Sequence, residues 1–565
     1  MQSLHPFNFS DGAACSAPLT RASNGLYYGT TFYGGTGQYG TVFEISPAGA
    51  FRTIYNFSAP DSSQHNVDGH SPTSGLVMGP DGALYGCASA GGTNGTGTVF
   101  RVTIGGAFTV LHTFSADGPT GNADGAVPVG ALVQGHDGAY YGVTSSGGTS
   151  DGGTAFRVTS SGQFTSLVSF SGVNGSVLRS GLILADDFNF YGVTSYGGAY
   201  DGGTIFRMTP QGDVTVLYSF SPPNSSGTNL SGATPSARLT VGYDGNFYGT
   251  TTAGGSAGHG TWFRFTRSGV LMTLLSISNA IAGQSPSYSE LTLGAEGRFY
   301  GVSTGAGTAN SGLLYIISPG GVLNPVFSFS GTSGTHPYGS PIQTPDGDFL
   351  GTTSDGGANG NGTIYRLHSV DTRPVLGRVG PQAVAASSAG FTMTLRGAYF
   401  SPQSVAEWDG TPLTTSYVSP IELRALVPAA DLTAPRTATV TVQNPGAGNT
   451  SNGLPFLVEP TQLDLQLGTI VRSSGNILSV ALTITNTGGT AAKSVFLRNA
   501  VLGALRATSA LPVSLGDIAA GSKVSVSVTF PGTAGIAGEH THTRLAVSGV
   551  YTNGTFSATS SAVLP

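Results

Sequence analysis

The stretch ALYGCASAGGTNGTGTVFRVT, residues 83–103, contains the pattern that decides the fold of most of this chain. A Tyr-Gly pair, Tyr85 and Gly86, is followed by a Gly-Gly pair and then by Phe100, fifteen positions after the tyrosine. Such Tyr-Gly anchors recur at intervals of 50 to 57 residues, with Leu350-Gly351 as a degenerate seventh copy. Their tyrosines are Tyr28, Tyr85, Tyr141, Tyr191, Tyr248 and Tyr300. Repetition at a fixed period of this size indicates a stacked repeat architecture.

The residues around each anchor keep fixed offsets. A turn residue lies four positions before it: Asn24, Asp81, Asp137, Asp187, Asp244, Glu296 and Asp346. A large apolar residue lies 29 positions after it: Phe57, Phe114, Phe170, Phe220, Ile277 and Phe329. All length variation therefore lies between that residue and the next anchor, which indicates one structural unit with one variable connection.

Each unit predicts four strands. In the second unit we expect them at residues 76–78, 83–89, 97–103 and 107–114, because β-branched and aromatic residues there alternate with Gly- and Asp-rich joints. Seven such units predict an all-β fold with a seven-bladed β-propeller over residues 1–370. The last unit lacks a fourth strand, and residues 4–10 look like one. We expect this N-terminal strand to pair with the seventh blade and close the ring, removing two exposed edges.

The units, for example residues 26–31 with residues 40–43, resemble the GloVer tandem-repeat family of bacterial choice-of-anchor proteins. The resemblance covers residues 4–368. It implies a secreted or surface-anchored protein with no agreed enzymatic role, so no catalytic residues carry over. No apolar run follows Met1, so we expect no signal peptide in the chain as given. The Gly-, Ser- and Thr-rich composition nevertheless favours an extracellular or cell-surface location.

The composition changes near residues 371–374, where the Gly-Gly hairpins stop. Residues 374–460 resemble an IPT/TIG immunoglobulin-like domain, through residues 391–400, 407–411, 426–428 and 440–446. Residues 461–565 resemble CARDB-like adhesion modules, through residues 482–489 and 524–530. Short alternating strands with turn signals also indicate β-sandwiches without the family. We therefore expect two Ig-like β-sandwich domains after the propeller.

Charge and cysteine content exclude several classes. The net charge is −6 and 9% of residues are charged, so no basic patch for nucleic acid is expected. No stretch approaches the roughly 20 apolar residues of a membrane-spanning helix. Two cysteines, Cys15 and Cys87, are too few for a disulfide framework or a zinc site on their own, and whether they pair stays open.

Two short motifs imitate catalytic or cofactor signatures. Residues 35–40 match a dinucleotide fingerprint, but a strand pattern follows where that motif needs a helix. Residues 301–305 match a nucleophile elbow, but Ser303 falls inside a predicted strand. We interpret both motifs as chance sequence variation among the copies of the repeat, and we expect no cofactor.

Metal binding remains open. His540 and His542 would share a strand face, although a third ligand would have to come from elsewhere. A calcium ion in one of the Asp-Gly turns is also compatible with the sequence.

Candidate ligand-binding residues lie in the second-to-third-strand hairpins and in the links from each fourth strand to the next first strand. In a propeller these share one face, and aromatic and carboxylate side chains on a loop-built face suit sugar or peptide binding. For any single residue, a solvated turn is the alternative. The candidates are Tyr33, Tyr39, His70, Asp151, Tyr196, Tyr200, Asp201, His259, His336, Tyr338 and Asp355.

The sequence favours a non-catalytic extracellular binding or adhesion protein, whose partner is a glycan or another protein. Even repeats and the lack of a catalytic motif support this hypothesis. A secreted carbohydrate-active enzyme, either a lyase or an oxidase, is the alternative. A self-assembling surface or filament subunit is a second alternative, which the low charge permits.

Overall fold

The computed structural model describes residues 1–116, 122–278, 290–368, 373–386, 389–446, 449–459, 463–487, 492–519, 521–533, 542–551 and 554–564. The chain divides into two compact units, Met1–Asp371 and Thr372–Pro565. Within the described residues the regular structure is β-strand, apart from two 3₁₀ turns at Gly331–Ser333 and Ala429–Leu432. The described residues contain no helix with the length and apolar character to cross a bilayer.

Strands of unit 1 that the structure describes form seven antiparallel sheets, numbered here in chain order. The first strand, β1 (Gln2–Pro6), belongs to sheet 7. Sheet 1 contains β2 (Thr20–Arg21), β3 (Tyr27–Thr31), β4 (Thr41–Ile45) and β5 (Phe51–Asn56). Sheet 2 contains β6 (Val77–Met78), β7 (Ala83–Ala88), β8 (Thr98–Thr103) and β9 (Phe108–Thr113). Sheet 3 contains β10 (Asn122–Gln134), β11 (Tyr140–Gly148), β12 (Thr154–Val158) and β13 (Phe164–Ser169).

The remaining sheets of unit 1 repeat this order. Sheet 4 contains β14 (Ile183–Leu184), β15 (Phe190–Thr194), β16 (Thr204–Met208) and β17 (Val214–Ser219). Sheet 5 contains β18 (Asn229–Pro235), β19 (Thr240–Val241), β20 (Phe247–Gly255), β21 (Thr261–Phe265) and β22 (Leu271–Ser276). Sheet 6 contains β23 (Thr292–Leu293), β24 (Phe299–Ser303), β25 (Leu313–Ile317) and β26 (Leu323–Ser328). Sheet 7 contains β27 (Ile342–Gln343), β28 (Phe349–Thr353), β29 (Thr363–Leu367) and β1.

The anchor glycine and the aromatic residue that follows it are cross-strand partners. Gly86 in β7 lies opposite Phe100 in β8, and Gly142 in β11 lies opposite Phe156 in β12. A Cβ atom built on Gly142 would come 2.4 Å from the Phe156 ring, so only glycine leaves room for it. This close approach explains why the Tyr-Gly pair and the aromatic residue recur together.

Each anchor tyrosine is buried and joins its sheet to the next one. Its ring packs against the residue just before the following anchor. Examples are Tyr85 on Tyr140, with ring centroids 4.0 Å apart, and Tyr300 on Phe349, at 3.8 Å. The anchor tyrosines therefore serve packing between neighbouring sheets.

The seventh sheet packs on the first. Strand β1 pairs antiparallel with β29, as predicted for the N-terminal segment, although the strand covers Gln2–Pro6 and not residues 4–10. The Thr352 hydroxyl of sheet 7 donates to the Ala17 carbonyl of the segment leading into sheet 1, at 3.2 Å. Leu350 and Tyr27 share one buried cluster across the same boundary. Unit 1 is therefore a propeller-like array in which the chain ends of the repeat meet.

Unit 2 contains two separate hydrophobic cores, each between two sheets. The first pair of sheets contains β30 (Val375–Gly380), β31 (Ala383–Ala385), β32 (Phe391–Ala398), β33 (Val405–Trp408), β34 (Thr411–Pro412), β35 (Thr414–Ser419), β36 (Glu422–Val427), β37 (Arg436–Gln443) and β38 (Leu454–Glu459). The second pair contains β39 (Leu463–Arg472), β40 (Ile477–Asn486), β41 (Ala492–Leu502), β42 (Leu505–Arg506), β43 (Val513–Ile518), β44 (Lys523–Pro531), β45 (His542–Tyr551) and β46 (Gly554–Val563). The predicted boundary at residue 460 lies outside the described residues.

Candidate functional site

The hairpins and links of unit 1 lie together, as the sequence predicts, and we call this side the loop face. Each link pairs with the hairpin of its own sheet. The Ala13 amide donates to the Tyr33 carbonyl, and the Ser176 amide donates to the Tyr196 carbonyl, both at 2.8 Å. The residue that follows then reaches the hairpin of the preceding sheet, as when the Ser71 amide donates to the Tyr39 carbonyl at 3.0 Å. Backbone bonds thus hold neighbouring loops in a continuous surface.

The links come in two lengths. A glycine lies 16 positions before six of the seven anchors, as Gly12 does before Tyr28, whereas Gln284 stands there before Tyr300. The distance from the large apolar residue that follows the fourth strand to this glycine is either short or long. Sheets 1, 4 and 7 have short links of five positions, ending at Gly12, Gly175 and Gly334. Sheets 2, 3 and 5 have long links of 11 or 12 positions, ending at Gly69, Gly125 and Gly232. Most of the sixth link falls on residues 279–289, outside the described residues.

An asparagine holds each of two long links onto its hairpin. The Asn66 carbonyl oxygen Oδ1 accepts from the amides of Gly69 and Gly92, at 2.9 and 2.8 Å. Asn229 repeats this arrangement in sheet 5, with the amides of Gly232 and Gly255. These links are therefore ordered extensions of the loop face, which the sequence analysis treated only as variable connections. Aligning the chain on the link glycine instead of on the tyrosine would have shown them.

Link length coincides with what the loop face exposes. Five positions after the anchor, the short-link sheets carry Tyr33, Tyr196 and Asp355, whose side chains are exposed. At the same position the long-link sheets carry small, half-buried residues, namely Ala90, Ser146 and Ala253. Among the described residues, the exposed tyrosines of the loop face therefore lie on the short-link sheets.

Sheets 7 and 1 together expose the largest group of predicted site residues. His336 Nδ1 lies 3.2 Å from Asp355 Oδ2, and both side chains are about half exposed. Tyr338 follows in the same link and is 38% exposed, while Tyr33 of sheet 1 is 49% exposed. The Ala14 amide donates to the Asn361 carbonyl across the boundary between the two sheets. We call Tyr33, His336, Tyr338 and Asp355 the seam patch.

Sheet 4 exposes a second group. Tyr196 is 42% exposed and Tyr200, at the tip of the same hairpin, is 61% exposed. Arg179 is exposed on the link of this sheet, at the position that Tyr338 occupies in sheet 7. We call Tyr196, Tyr200 and Arg179 the sheet-4 patch. Arg179 was not among the residues predicted from sequence, because no motif surrounds it.

Several predicted residues have structural roles instead. Asp151 and Asp201 adopt positive φ angles, and each carboxylate accepts the amide of the first glycine in its own hairpin, at 2.7 and 2.9 Å. Each carboxylate stabilises its own turn through the one oxygen that accepts this hydrogen bond. His259 is half-buried in its hairpin, where it forms a β-bridge with Gly254.

His70 is 5% exposed, which removes it from the accessible surface. Its Nδ1 lies 3.0 Å from the Ser71 hydroxyl, and its ring meets the edge of the Tyr39 ring. Burial lowers the pKa of His70 and outweighs the opposing effect of Asp68. Tyr39 and His70 therefore form an inter-sheet contact beneath the loop face.

The motifs that imitate catalytic signatures are followed by a strand or lie within one, and neither leads into a helix. Residues 41–45, after the glycine-rich stretch, form β4, and the buried Ser303 ends β24.

Both cysteines are free and buried, which answers the open question of their pairing. A cavity lined by Trp262, Ile277 and other apolar residues measures about 10 Å³, enough for one water at most, and is no ligand pocket.

Among the described residues, no group of three His, Cys, Asp or Glu side chains could hold a metal ion. The predicted pair His540 and His542 cannot be assessed, since residues 534–541 lie outside the described residues. The loop face thus offers tyrosine rings and a few polar groups, which suit binding by stacking and hydrogen bonding.

A family model described as the Gloeobacter/Verrucomicrobia repeat matches residues 61–240 and 224–394. No curated protein matches the chain.

Several solved structures are similar at low identity. A candidate 6-phosphogluconolactonase from Bacteroides uniformis is 15% identical, with 61% of this chain and 94% of that chain covered and a TM-score of 0.40. The Bacteroides ovatus xyloglucan PUL protein GH43B is 12% identical, with 94% and 96% covered and a TM-score of 0.29. A PL25 ulvan lyase is 8% identical, with 85% and 93% covered and a TM-score of 0.27. These TM-scores are too low to bear on function.

Proposed function

The chain belongs to the Gloeobacter/Verrucomicrobia repeat family, and we propose that it is an extracellular or cell-surface protein that binds a glycan without chemically altering it. In this proposal unit 1 is a closed seven-bladed β-propeller and its loop face is the binding surface. Residues 374–460 and 461–565 are IPT/TIG-like and CARDB-like Ig modules that present it.

The exposed tyrosines of the loop face carry this proposal. The anchor tyrosines are at most 3% exposed, so the repeat buries this residue type wherever it serves packing. Tyr33, Tyr196, Tyr200 and Tyr338 are instead 38–61% exposed, all on short-link sheets. An exposed tyrosine offers a flat apolar ring and a hydroxyl, the combination that stacks on a sugar face and bonds its hydroxyl groups.

The polar groups next to these rings fit the same ligand class. The carboxylate of Asp355 and the imidazole of His336 lie in contact at 3.2 Å and are half exposed, so both can also bond a ligand hydroxyl. The exposed charges beside these rings are Asp355, Asp201 and Arg179, so neither sign dominates by more than one charge. This balance favours an uncharged sugar over a polyanion.

Binding to a broad glycan array, with calcium and again with chelator, tests the proposal. We expect selective binding by the intact chain and weaker binding to the same glycans by the Tyr33→Ala, Tyr338→Ala double variant. Leu230→Ala is the matched control, because Leu230 is 83% exposed on the long link of sheet 5. Binding to no glycan would overturn the proposal. Release of shorter sugars from a bound glycan would favour the carbohydrate-active enzyme instead.

A further inference from the structure

The seam patch and the sheet-4 patch lie on opposite parts of the repeat. Sheets 2 and 3 separate them in one direction along the array, and sheets 5 and 6 separate them in the other. Because sheet 7 packs on sheet 1, the array of sheets is closed, and two sheets separate the patches whichever way the array is followed. The two exposed aromatic groups therefore face each other across the loop face and do not adjoin.

The sheets between them lack such groups in the described residues. Sheets 2 and 3 carry Ala90 and Ser146 where Tyr33 and Tyr196 stand, and sheet 5 carries Ala253. Sheet 6 has Gly305 at this position. Among the described residues of these sheets, a ligand that touches both patches meets no exposed tyrosine between them.

We propose that the two patches bind one neutral polysaccharide chain at the same time, so that the ligand is a polymer and not a short oligosaccharide. This inference rests on the proposed glycan-binding function. It adds the length of the ligand and a second, separated binding site to that function.

The chemistry of the patches supports a single ligand type at both. Each combines two exposed tyrosines with a charged group, Asp355 in the seam patch and Arg179 in the sheet-4 patch. The four tyrosines are 38–61% exposed, so each patch offers a ligand an open surface. An open site of this kind binds weakly alone, and weak sites gain most when one ligand bridges them.

The gain from bridging is large enough to measure. When two sites engage one molecule, the second binding step becomes intramolecular, and the combined affinity can exceed either single affinity by about 10²–10⁴-fold. A polymer long enough to span both patches should show this gain. An oligosaccharide of the same sugar that covers one patch should not.

The experiment compares soluble neutral polysaccharides, namely xylan, galactomannan and mixed-linkage β-glucan, with their own oligosaccharides of about four sugar units. The intact chain, the Tyr33→Ala, Tyr338→Ala variant, the Tyr196→Ala, Tyr200→Ala variant and the Leu230→Ala control are titrated with each. Equal thermal midpoints of the four proteins establish that the variants fold.

We expect the best polysaccharide to bind the intact chain at least tenfold more tightly than its oligosaccharide, on a per-chain basis. Either double variant should remove that advantage while still binding the oligosaccharide through the remaining patch. If the sheet-4 variant binds the polymer as tightly as the intact chain, the bridging inference is wrong although glycan binding stands. If no sugar binds at any length, the proposed function itself fails.

Discussion

The Tyr85 hydroxyl donates a 2.9 Å hydrogen bond to Asp81 Oδ2, the carboxylate oxygen that Arg101 also binds. The other oxygen of Asp81 accepts the Ala83 amide and closes the turn between β6 and β7. The same pairing links Asp137 to Tyr141, Asp187 to Tyr191 and Asp244 to Tyr248. At these four anchors the turn aspartate thus orients the anchor tyrosine as well as shaping the turn.

Removing the Tyr85 hydroxyl should destabilise unit 1. In Tyr85→Phe, the partly exposed Asp81 loses its hydrogen bond from the buried tyrosine, at a cost of about 1 kcal/mol. The matched change is Tyr365→Phe in sheet 7, because the Tyr365 hydroxyl is buried without a partner in the described residues. That variant should be neutral or more stable by about 1 kcal/mol. Thermal midpoints of unit 1 measure both, and a drop in both would contradict the assignment.

Adding a methyl group at an anchor glycine should disrupt its cross-strand partner. In Gly142→Ala the new Cβ would lie 2.4 Å from the Phe156 ring, and such overpacking costs about 1–3 kcal/mol. Gly105→Ala is the control, since its Cβ would meet only Thr103 Oγ1 at 3.7 Å. Combining Gly142→Ala with Phe156→Leu should recover part of the loss in chemical denaturation. Equal effects of the two single changes would show that the close approach is unimportant.

Closure between sheets 7 and 1 should depend on Phe7. This residue is fully buried after β1 and packs against Phe43 and Phe51 of sheet 1, with ring centroids 5.5 and 5.7 Å apart. Phe7→Ala should cost about 3–5 kcal/mol. Phe9→Ala removes a ring that is 42% exposed and should cost much less. Differential scanning calorimetry distinguishes the two, and similar midpoints would argue against a closed array.

Acid should weaken the contact between sheets 2 and 3 through His112. Its ring stacks on Phe164 at 3.6 Å, and its Nε2 lies 2.9 Å from Asp124 Oδ2. Burial holds the pKa of His112 below its ordinary value of 6.5, outweighing Asp124, so the folded state keeps the ring neutral. The unfolded chain therefore binds more protons as pH falls below about 6.5, and stability decreases in that range.

The variant His112→Tyr should reduce this acid sensitivity. Sheet 1 already has Tyr55 at the equivalent position, where it donates to Asp68 at 2.8 Å, so a tyrosine fits the site. Thermal midpoints between about pH 7.5 and about pH 5 should fall less in the variant than in the original chain. An unchanged pH dependence would show that His112 does not contribute to it.

The two thiols should be unreactive in the folded chain. Cys15 and Cys87 are at most 1% exposed, and burial raises the pKa of each to about 12. The reactive thiolate is therefore scarce as well as inaccessible near neutral pH. A colorimetric thiol assay should count none before denaturation and two afterwards, with or without prior reduction. Two thiols released only by a reductant would contradict the free state.

Much of the fold could be predicted because its determinants are local and repeated. The spacing of Tyr85, Gly86 and Phe100 predicts two adjacent strands, and the structure pairs Gly86 with Phe100 across them. The predicted strands of the second unit agree with β6 to β9 to within one residue at each end. Where one copy of the repeat has an ambiguous pattern, the other copies show which of its residues form strands.

The candidate site was predicted less completely. The sequence placed Tyr33, Tyr39, His70 and His336 together as loop residues, but the structure buries His70 against Tyr39 and exposes Tyr33 and His336. No sequence motif pointed to Arg179. Exposure depends on what the neighbouring link covers, and a link belongs to a different part of the sequence from the hairpin beside it.

The sequence by itself determined the β-strand repeat, its turns and the partner of each anchor glycine, because hydrogen-bonded strands that follow one another along the chain impose fixed spacings. Only the tertiary structure decided which loop side chains remain accessible. Link glycines such as Gly12 and Gly69 set where each connection meets its hairpin, and packing between sheets then buries His70 while leaving Tyr33 exposed. The exposure of a loop side chain depends on several segments that are distant in sequence, so no single stretch of sequence predicts it.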